Sequence, residues 1–387
     1  MSSSTPRTSS GPRPNRRRFL AAAGLTAAGA ALAAVQGSAG AAPVRRPAAG
    51  TYRVPIEDVR HTRTWMAWPD STAIWGRGAL AGIQADIALI ARTIARYEPV
   101  IMLANSASAA KARSQCGTSV TVITSIPVDD CWMRDTGPVF RTDGAGGLDA
   151  VGLNFNGWGR KQAHAKDALV AERIAAYTGV PFTYAEFVGE GGAIEQDGAG
   201  TLMATRSSLL NRNRNRNPGM PERTLTAEMC EAYGASKVIW FDGVYGQDIT
   251  DNHVDATSRF LAPGEALVQM PLATDDDAYA KDARLQHRIL TGSTTAAGGR
   301  MEVTRLQGPD YDRIRSGNPD FLASYANYYL CNGAVICAHF GDSRADAAAK
   351  ATLTRLYPGR AVEQLDIDRL GAGGGGIHCV TQQQPVP

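Results

Sequence analysis

The sequence predicts an α/β protein built from a repeated unit, and three observations carry that prediction. From about Tyr52 onward, short apolar runs alternate with amphipathic stretches. Roughly five helix candidates are each flanked by strand candidates, although no strong sequence repeat accompanies them. No long Pro- or Ser-rich linker interrupts residues 52 to 384, so the span reads as one domain. At 387 residues, 44% hydrophobic and 20% charged, the chain can bury a large core. That balance excludes a collagen-like or largely disordered chain, and six cysteines are too dilute for a small disulfide scaffold.

The chain opens on an export signal. Arg16-Arg17-Arg18-Phe19-Leu20 precedes an Ala/Gly-rich stretch that runs to about Val35, and Ala39-Gly40-Ala41 fits an A-x-A cleavage site. Twin arginines before Phe-Leu point to the Tat route. A transmembrane anchor fits less well, because the apolar stretch is short, small-residue-rich and ends in a cleavage site. The expected organisation is a Tat-type signal peptide over residues 1–41, a short mature segment over 42–51 and one domain over 52–387. Tat substrates fold before export, so export does not require disulfides, and the cysteines have no regular spacing. The net charge of +3 arises in the leader, which holds five arginines and no acid. Without it the body carries 35 basic and 37 acidic side chains, which gives no global attraction to nucleic acid or anionic membrane.

Taken in order, Ile83, Ile87, Ile90 and Ile94 recur at helical spacing, with Arg92 and Arg96 on other faces. Further helices are expected over about His164–Tyr177, Glu222–Tyr233, Asp275–Leu290 and Ser343–Tyr357. Strands are expected at Val100–Ala104, Val120–Thr124, Asp149–Phe155, Thr201–Ala204, Lys237–Phe241, Ala266–Met270, Met301–Leu306 and Ala334–His339. Gly and Pro clusters at Asp143–Gly147, Pro218–Pro221 and Gly371–Gly376 punctuate them. The Asn/Arg alternation from Asn211 to Asn217 reads as a solvated loop rather than a nucleic-acid patch, since no aromatic residue interleaves with it.

Four stretches carry residues suited to chemistry. In Asp129-Asp130-Cys131-Trp132-Met133-Arg134-Asp135-Thr136-Gly137-Pro138, aromatic neighbours would keep Asp135 partly dry and able to bind a cation strongly; a structural Arg134–Asp135 ion pair is the alternative. Glu190-Gly191-Gly192 is either a close-approach site or a tight turn with an exposed Glu. In Asp248 to Asp255, an extended chain would turn His253 and Asp255 to one face as a proton-transfer pair; half of a metal site or a strand-end salt bridge would look the same. The glycine run from Gly371 to Gly376 leads into Ile377-His378-Cys379-Val380-Thr381, which reads as a strand carrying a working thiol with room for a substrate beside it; a flexible tail is the bland reading. A thiol, a His and two separated Asp residues suit a planar cation. Two carboxylates grip guanidinium N–H edges in fork geometry and hold its carbon for attack.

Trp132-Met133-Arg134-Asp135-Thr136-Gly137-Pro138, Glu190-Gly191-Gly192, Asn252-His253-Val254-Asp255, Ser324-Tyr325-Ala326-Asn327-Tyr328-Tyr329 and the Gly-rich Ile377-His378-Cys379 occur in this order. With them, about Tyr52 to Pro385 resembles the agmatine deiminase family, which also holds the Porphyromonas-type peptidylarginine deiminases. The resemblance implies a pentein α/β propeller of five pseudo-symmetric ββαβ-type units with a central site. It implies Cys379 as nucleophile, His253 as general acid/base, Asp135 and Asp255 as guanidinium holders, and Trp132, Glu190 and Asn327 as pocket residues. It also implies no metal and no organic cofactor, a small guanidinium substrate or peptidyl arginine, no nucleic-acid partner and no stable membrane anchor after cleavage. The implied route runs through a covalent amidino-cysteine and a water-driven release.

The chain departs from the family's common pattern at three positions and in its address. Agmatine deiminases commonly read Gly-His-(Val/Ile)-Asp-Asn, where this chain has Asn252 before His253 and Ala256 after Asp255. They commonly carry Asn before Ile-His-Cys, where this chain has Gly376. They are commonly cytoplasmic and feed polyamine synthesis, whereas this chain carries an export signal. The expected reaction is agmatine to N-carbamoylputrescine plus ammonia, with an exported peptidylarginine deiminase as the alternative. Two other classes are kept. His253, Asp255, His378 and Cys379 could belong to a zinc hydrolase, although adjacent residues on a strand face opposite ways. An exported protein could also capture arginine-like ligands without turnover.

Overall fold

The computed structural model describes residues 52–211, 216–318 and 320–387. The expected leader 1–41 and the segment 42–51 lie outside the described residues. Among the described residues the strands form five separate sheets, and the same pattern recurs in each. Two antiparallel strands are followed by a helix and then by a strand parallel to the second. Val139–Thr142 and Leu148–Gly152 are joined by the helix Val170–Thr178 to Phe182–Tyr184. Ile194–Gln196 and Thr201–Thr205 lead through Glu222–Tyr233 to Lys237–Phe241. Ser258–Ala262 and Glu265–Met270 lead through Ala278–Thr291 to Glu302–Gln307. Tyr329–Cys331 and Ala334–Ala338 lead through Ser343–Leu356 to Ala361–Leu365.

The remaining sheet joins the two ends of the described chain. His61–Ala67 pairs antiparallel with the C-terminal Gln382–Pro385 and parallel with Val100–Leu103, which in turn pairs with Val120–Ile123. The helix Thr72–Ile94 connects its second and third strands. The C-terminal strand therefore completes the unit that the N-terminal strand begins, and the residues just before it are held on both sides.

Each helix forms for reasons visible in the chain. Ile83, Ile87, Ile90 and Ile94 are all buried against the sheets, while Arg92 and Arg96 face solvent. Each such isoleucine contributes roughly 1.5–3 kcal/mol by leaving water. Asp277 and Asp342 accept from the Ala280 and Ala345 amides, which fixes the starts of the helices Ala278–Thr291 and Ser343–Leu356. Gly179 and Gly234 end two helices in the left-handed region at φ 69° and 64°, where a Cβ would be strained.

The expected strands occur with small end shifts. Several others were not among those expected runs: His61–Ala67, Val139–Thr142, Ser258–Ala262, Ala361–Leu365 and Gln382–Pro385, and three of only three residues each, Phe182–Tyr184, Ile194–Gln196 and Tyr329–Cys331. A three-residue strand shows no alternation; its partner in the sheet defines it. The segment Ile377–Thr381 is not a strand. His378–Val380 forms a single 3-10 turn, closed by the Thr381 amide on the His378 carbonyl, and the strand starts only at Gln382.

Candidate active site

The five motifs take equivalent places in the five sheets, each just before a first strand. Trp132 and Asp135 sit in and beside the one-turn helix Met133–Thr136, ahead of Val139. Glu190 and Gly192 precede Ile194, and His253 and Asp255 precede Ser258. Asn327 precedes Tyr329, and Cys379 precedes Gln382. A polar or reactive group at the lip of every sheet makes one site from residues up to 244 positions apart, the separation of Asp135 and Cys379.

Gly192 marks where three of them meet. A Cβ placed on it would lie 2.7 Å from His253 Nδ1, 3.0 Å from Asp135 Oδ1 and 3.1 Å from Asp255 Oδ2. Asp135 accepts from the Gly192 amide (3.1 Å) and from Trp158 Nε1 (2.9 Å). His253 Nδ1 lies 3.8 Å from Asp135, and its Nε2 lies 3.4 Å from Glu190 Oε2. Asp255 Oδ2 contacts His378 Nδ1 at 2.7 Å, while its buried Oδ1 has no donor among the described residues. Cys379 is half-buried, and its thiol donates to Asn327 Oδ1 at 3.4 Å.

Several expectations need correction. Arg134 and Asp135 do not pair: Arg134 turns away to Glu57 and Gln383, which leaves Asp135 to face His253. His253 and Asp255 do not share a face of an extended strand. Asp251 and Asn252 take left-handed backbone at φ 58° and 69°, and Val254–Ala256 then forms a 3-10 turn that brings both side chains to the site. Asn252 is among the few residue types that tolerate that conformation. Glu190 is fully buried rather than exposed on a turn, and it is paired with Arg216 Nε at 2.7 Å. Arg216 and Asn217, assigned to a solvated loop, are buried, because Glu190 and the Ser208 and Thr250 carbonyls take the guanidinium. Arg212 to Asn215 of that stretch lie outside the described residues.

The glycine run serves packing more than it opens space. A Cβ on Gly375 would fall on the Trp132 ring, and one on Gly376 on the Asn327 amide. Glycine at 376 lets Asn327 come in close, so that it can accept from the His378 amide (3.1 Å) and the Cys379 thiol. Trp132 lies between Trp75 and Trp158, with ring centroids 5.7 and 6.5 Å away. Trp158, Arg216 and Glu57 carry no local motif, and the site residues they hold, Asp135, Glu190 and His378, are 23, 26 and 321 residues distant in sequence. His378 was read only as a remote metal ligand. Both of its ring nitrogens in fact contact carboxylates.

Burial and neighbours set the protonation states. Burial raises Asp135, and Glu190 and Asp255 add to that against the opposing pull of His253. Burial also raises Asp255, but the His378 hydrogen bond and charge overcome it and hold the carboxyl below its ordinary range. Burial would lower His253; Asp135, Glu190 and Asp255 outweigh it and bring the imidazole up to about 9. The Cys379 thiol is pushed well above its ordinary value, first by burial and then by Asp255 and Asp135. The site thus brings together a thiol, an imidazolium and the Asp255 carboxylate, which suits a cation whose charge would release the thiol proton.

The model of the family described as Porphyromonas-type peptidyl-arginine deiminase matches residues 53–385. A Streptomyces coelicolor relative is 39% identical over 343 residues, spanning 87% of this chain and 99% of its own length. The agmatine deiminase of Pseudomonas aeruginosa is 33% identical over 372 residues, 89% of this chain and 98% of that one. Among solved structures, the agmatine deiminase of Enterococcus faecalis aligns with a TM-score of 0.80 at 27% identity, covering 87% of this chain and 96% of that one.

Proposed function

Because the chain belongs to the Porphyromonas-type peptidyl-arginine deiminase family, we propose that it hydrolyses the guanidinium of agmatine to N-carbamoylputrescine and ammonia. The observation that carries this reading is the convergence of Asp135, His253 and Asp255 on the space beside Gly192, with the Cys379 thiol under the electrostatic influence of both carboxylates. A guanidinium between the two Asp side chains replaces water with carboxylate acceptors and fixes its carbon near Sγ. Its positive charge offsets the carboxylates that hold the thiol proton, which passes to solvent water as the thiolate forms. Sγ then bonds to the carbon, and the C–N bond breaks as the His253 imidazolium gives its proton to the departing nitrogen, which leaves as ammonia. In the second half water adds to the amidino carbon and gives one proton back to His253; the C–S bond breaks as the C=O bond forms, and the hydroxyl proton passes to sulfur. Glu190, held by Arg216, keeps His253 cationic for the first half.

The five sheets of one strand pattern support a five-unit propeller with this site at its centre. Agmatine is favoured over peptidyl arginine by the charges nearby. Arg134, Arg216 and Arg259, the buried arginines around the cluster, are each committed to glutamates, so none meets a substrate carboxylate. The Trp75–Trp132–Trp158 wall offers aromatic faces to an aminobutyl chain and its terminal cation. The twin-arginine leader supports an exported enzyme.

The test compares kcat/KM for agmatine, free arginine and an arginine-terminated peptide on one preparation, with Cys379→Ser as the control that loses turnover. Agmatine is expected to lead. A clear lead for the peptide overturns the substrate, and no ammonia from any of the three overturns the reaction.

A further inference from the structure

His378 lies beside the nucleophile in sequence but turns away from it. Its Nδ1 is 2.7 Å from Asp255 Oδ2 and its Nε2 is 2.9 Å from Glu57 Oε2, with all three side chains buried. A neutral imidazole has one N–H and one bare lone pair, so one contact would set a lone pair against a carboxylate oxygen. Either the ring is doubly protonated or one of the acids carries the proton. Glu57 is crowded with donors: Arg134 and Arg259 reach Oε2 at 3.3 and 3.1 Å, and the Leu330 amide reaches Oε1 at 2.9 Å. A protonated Glu57 would put a hydroxyl among those donors. Burial pushes Glu57 up, but Arg259, His378 and Arg134 outweigh it and hold the carboxyl well below its usual range. On the other side, Asp255 Oδ1 is buried with no donor among the described residues, so the ring contact at Oδ2 is what holds the carboxylate.

We propose that His378 is a positioning residue: a ring held between Glu57 and Asp255 that pins Asp255 Oδ2 where it faces the space beside Gly192 and so fixes the carboxylate that meets the substrate guanidinium. Asp135 is fixed in the same sense by Trp158 and the Gly192 amide. Both substrate carboxylates are therefore oriented before substrate arrives, which reduces the reorganisation that binding requires. Glu57 in turn anchors the ring to Arg134, which follows Met133 and precedes Asp135, and to Arg259, which starts from the strand after Asp255. The other charged groups around the ring are Glu195, Arg134 and Arg259. The clamp thus joins the chain segments that carry Asp135, Asp255 and Cys379. This inference rests on the deiminase reading for its effect on turnover, although not for the hydrogen bonding of the ring.

Two measurements on the full chain test it. His378→Asn sets an amide N–H near the position of Nδ1 and keeps the Asp255 contact, whereas His378→Gln sets one near Nε2 and keeps only Glu57. Both remove the ring, so a role in packing alone predicts similar losses. Positioning predicts that the Gln variant falls about 10–100-fold below the Asn variant in kcat/KM for agmatine, chiefly through KM, the worth of one hydrogen bond to a charged group. Equal values for two folded variants, or wild-type activity in the Gln variant, overturn it. The second measurement needs no variant and no turnover. Ile377-His378 is the only Ile-His pair in the sequence, so carbonyl-13C isoleucine with 15N histidine assigns His378 by NMR. Both ring nitrogens are expected to show the 15N shifts of hydrogen-bonded positions, and a ring nitrogen free of hydrogen bonding overturns the proposal. If wild-type protein releases no ammonia from agmatine, the function falls while the ring measurement still decides this point.

Discussion

Gly192→Ala is the smallest perturbation that strikes the centre of the site. Gly192 does not lie in the left-handed region, so alanine meets no backbone strain there. The added carbon instead meets His253 Nδ1 at 2.7 Å, where ordinary contact begins at 3.4 Å. The imidazole must move by about 0.7 Å, and Asp135 and Asp255 by about half that, a scale of misplacement that costs roughly 100-fold in rate. Overpacking itself costs about 1–3 kcal/mol, a fall of a few degrees in Tm rather than unfolding. The assay is ammonia release from agmatine, with circular dichroism and Tm on the same samples. The expected result is a folded protein with kcat/KM down by about two orders of magnitude, some 2.7 kcal/mol of transition-state stabilisation. A folded Gly192→Ala within about threefold of wild type would show that the reaction does not occur where Asp135, His253 and Asp255 meet.

The remaining predictions concern protonation and export. Alkylation of Cys379 by iodoacetamide in the substrate-free enzyme should keep rising with pH without a plateau below about pH 9, since burial, Asp255 and Asp135 all disfavour the thiolate; a plateau near pH 7, absent in Cys379→Ala, would refute this. His253 is raised from 6.5 to about 9, so the charge and the stability it contributes are fully present below 6.5 and are lost as pH climbs through 9. The kcat/KM profile should show an alkaline limb there, and a limb near 6.5 would mean that Asp135 and Glu190 do not support the imidazolium. Arg16-Arg17→Lys-Lys should leave the protein in the cytoplasm, as fractionation of the producing cells would show; continued export would assign the leader to the general secretory route.

The local pattern of the sequence carried the α/β alternation and marked the four candidate residues that the proposed reaction uses. Ile83 to Ile94 announce a buried helix face because four isoleucines at that spacing have no other common side. Asp135, His253, Asp255 and Cys379 stand out because each lies in a short motif rich in glycine or aromatic residues. Their supporting partners could not be read in the same way. Glu57, Trp158 and Arg216 act through contacts that span long stretches of chain, and nothing beside them in sequence separates a buried ion pair from a solvated one. Arg216 sits in an Asn/Arg run that has every mark of an exposed loop, yet Glu190 holds it inside. The backbone at His253 and at His378 was misread as extended for a related reason: the left-handed Asp251 and Asn252 and the two 3-10 turns are imposed by what packs around them. The glycines at 375 and 376 make the same point, since the residues that require their lack of a side chain, Trp132 and Asn327, arrive from other sheets. Sequence determines which groups can do the chemistry because that is a property of single residues and their neighbours. Only the tertiary structure decides how those groups are aimed and charged, because burial and Coulomb interactions depend on distance in space and not along the chain.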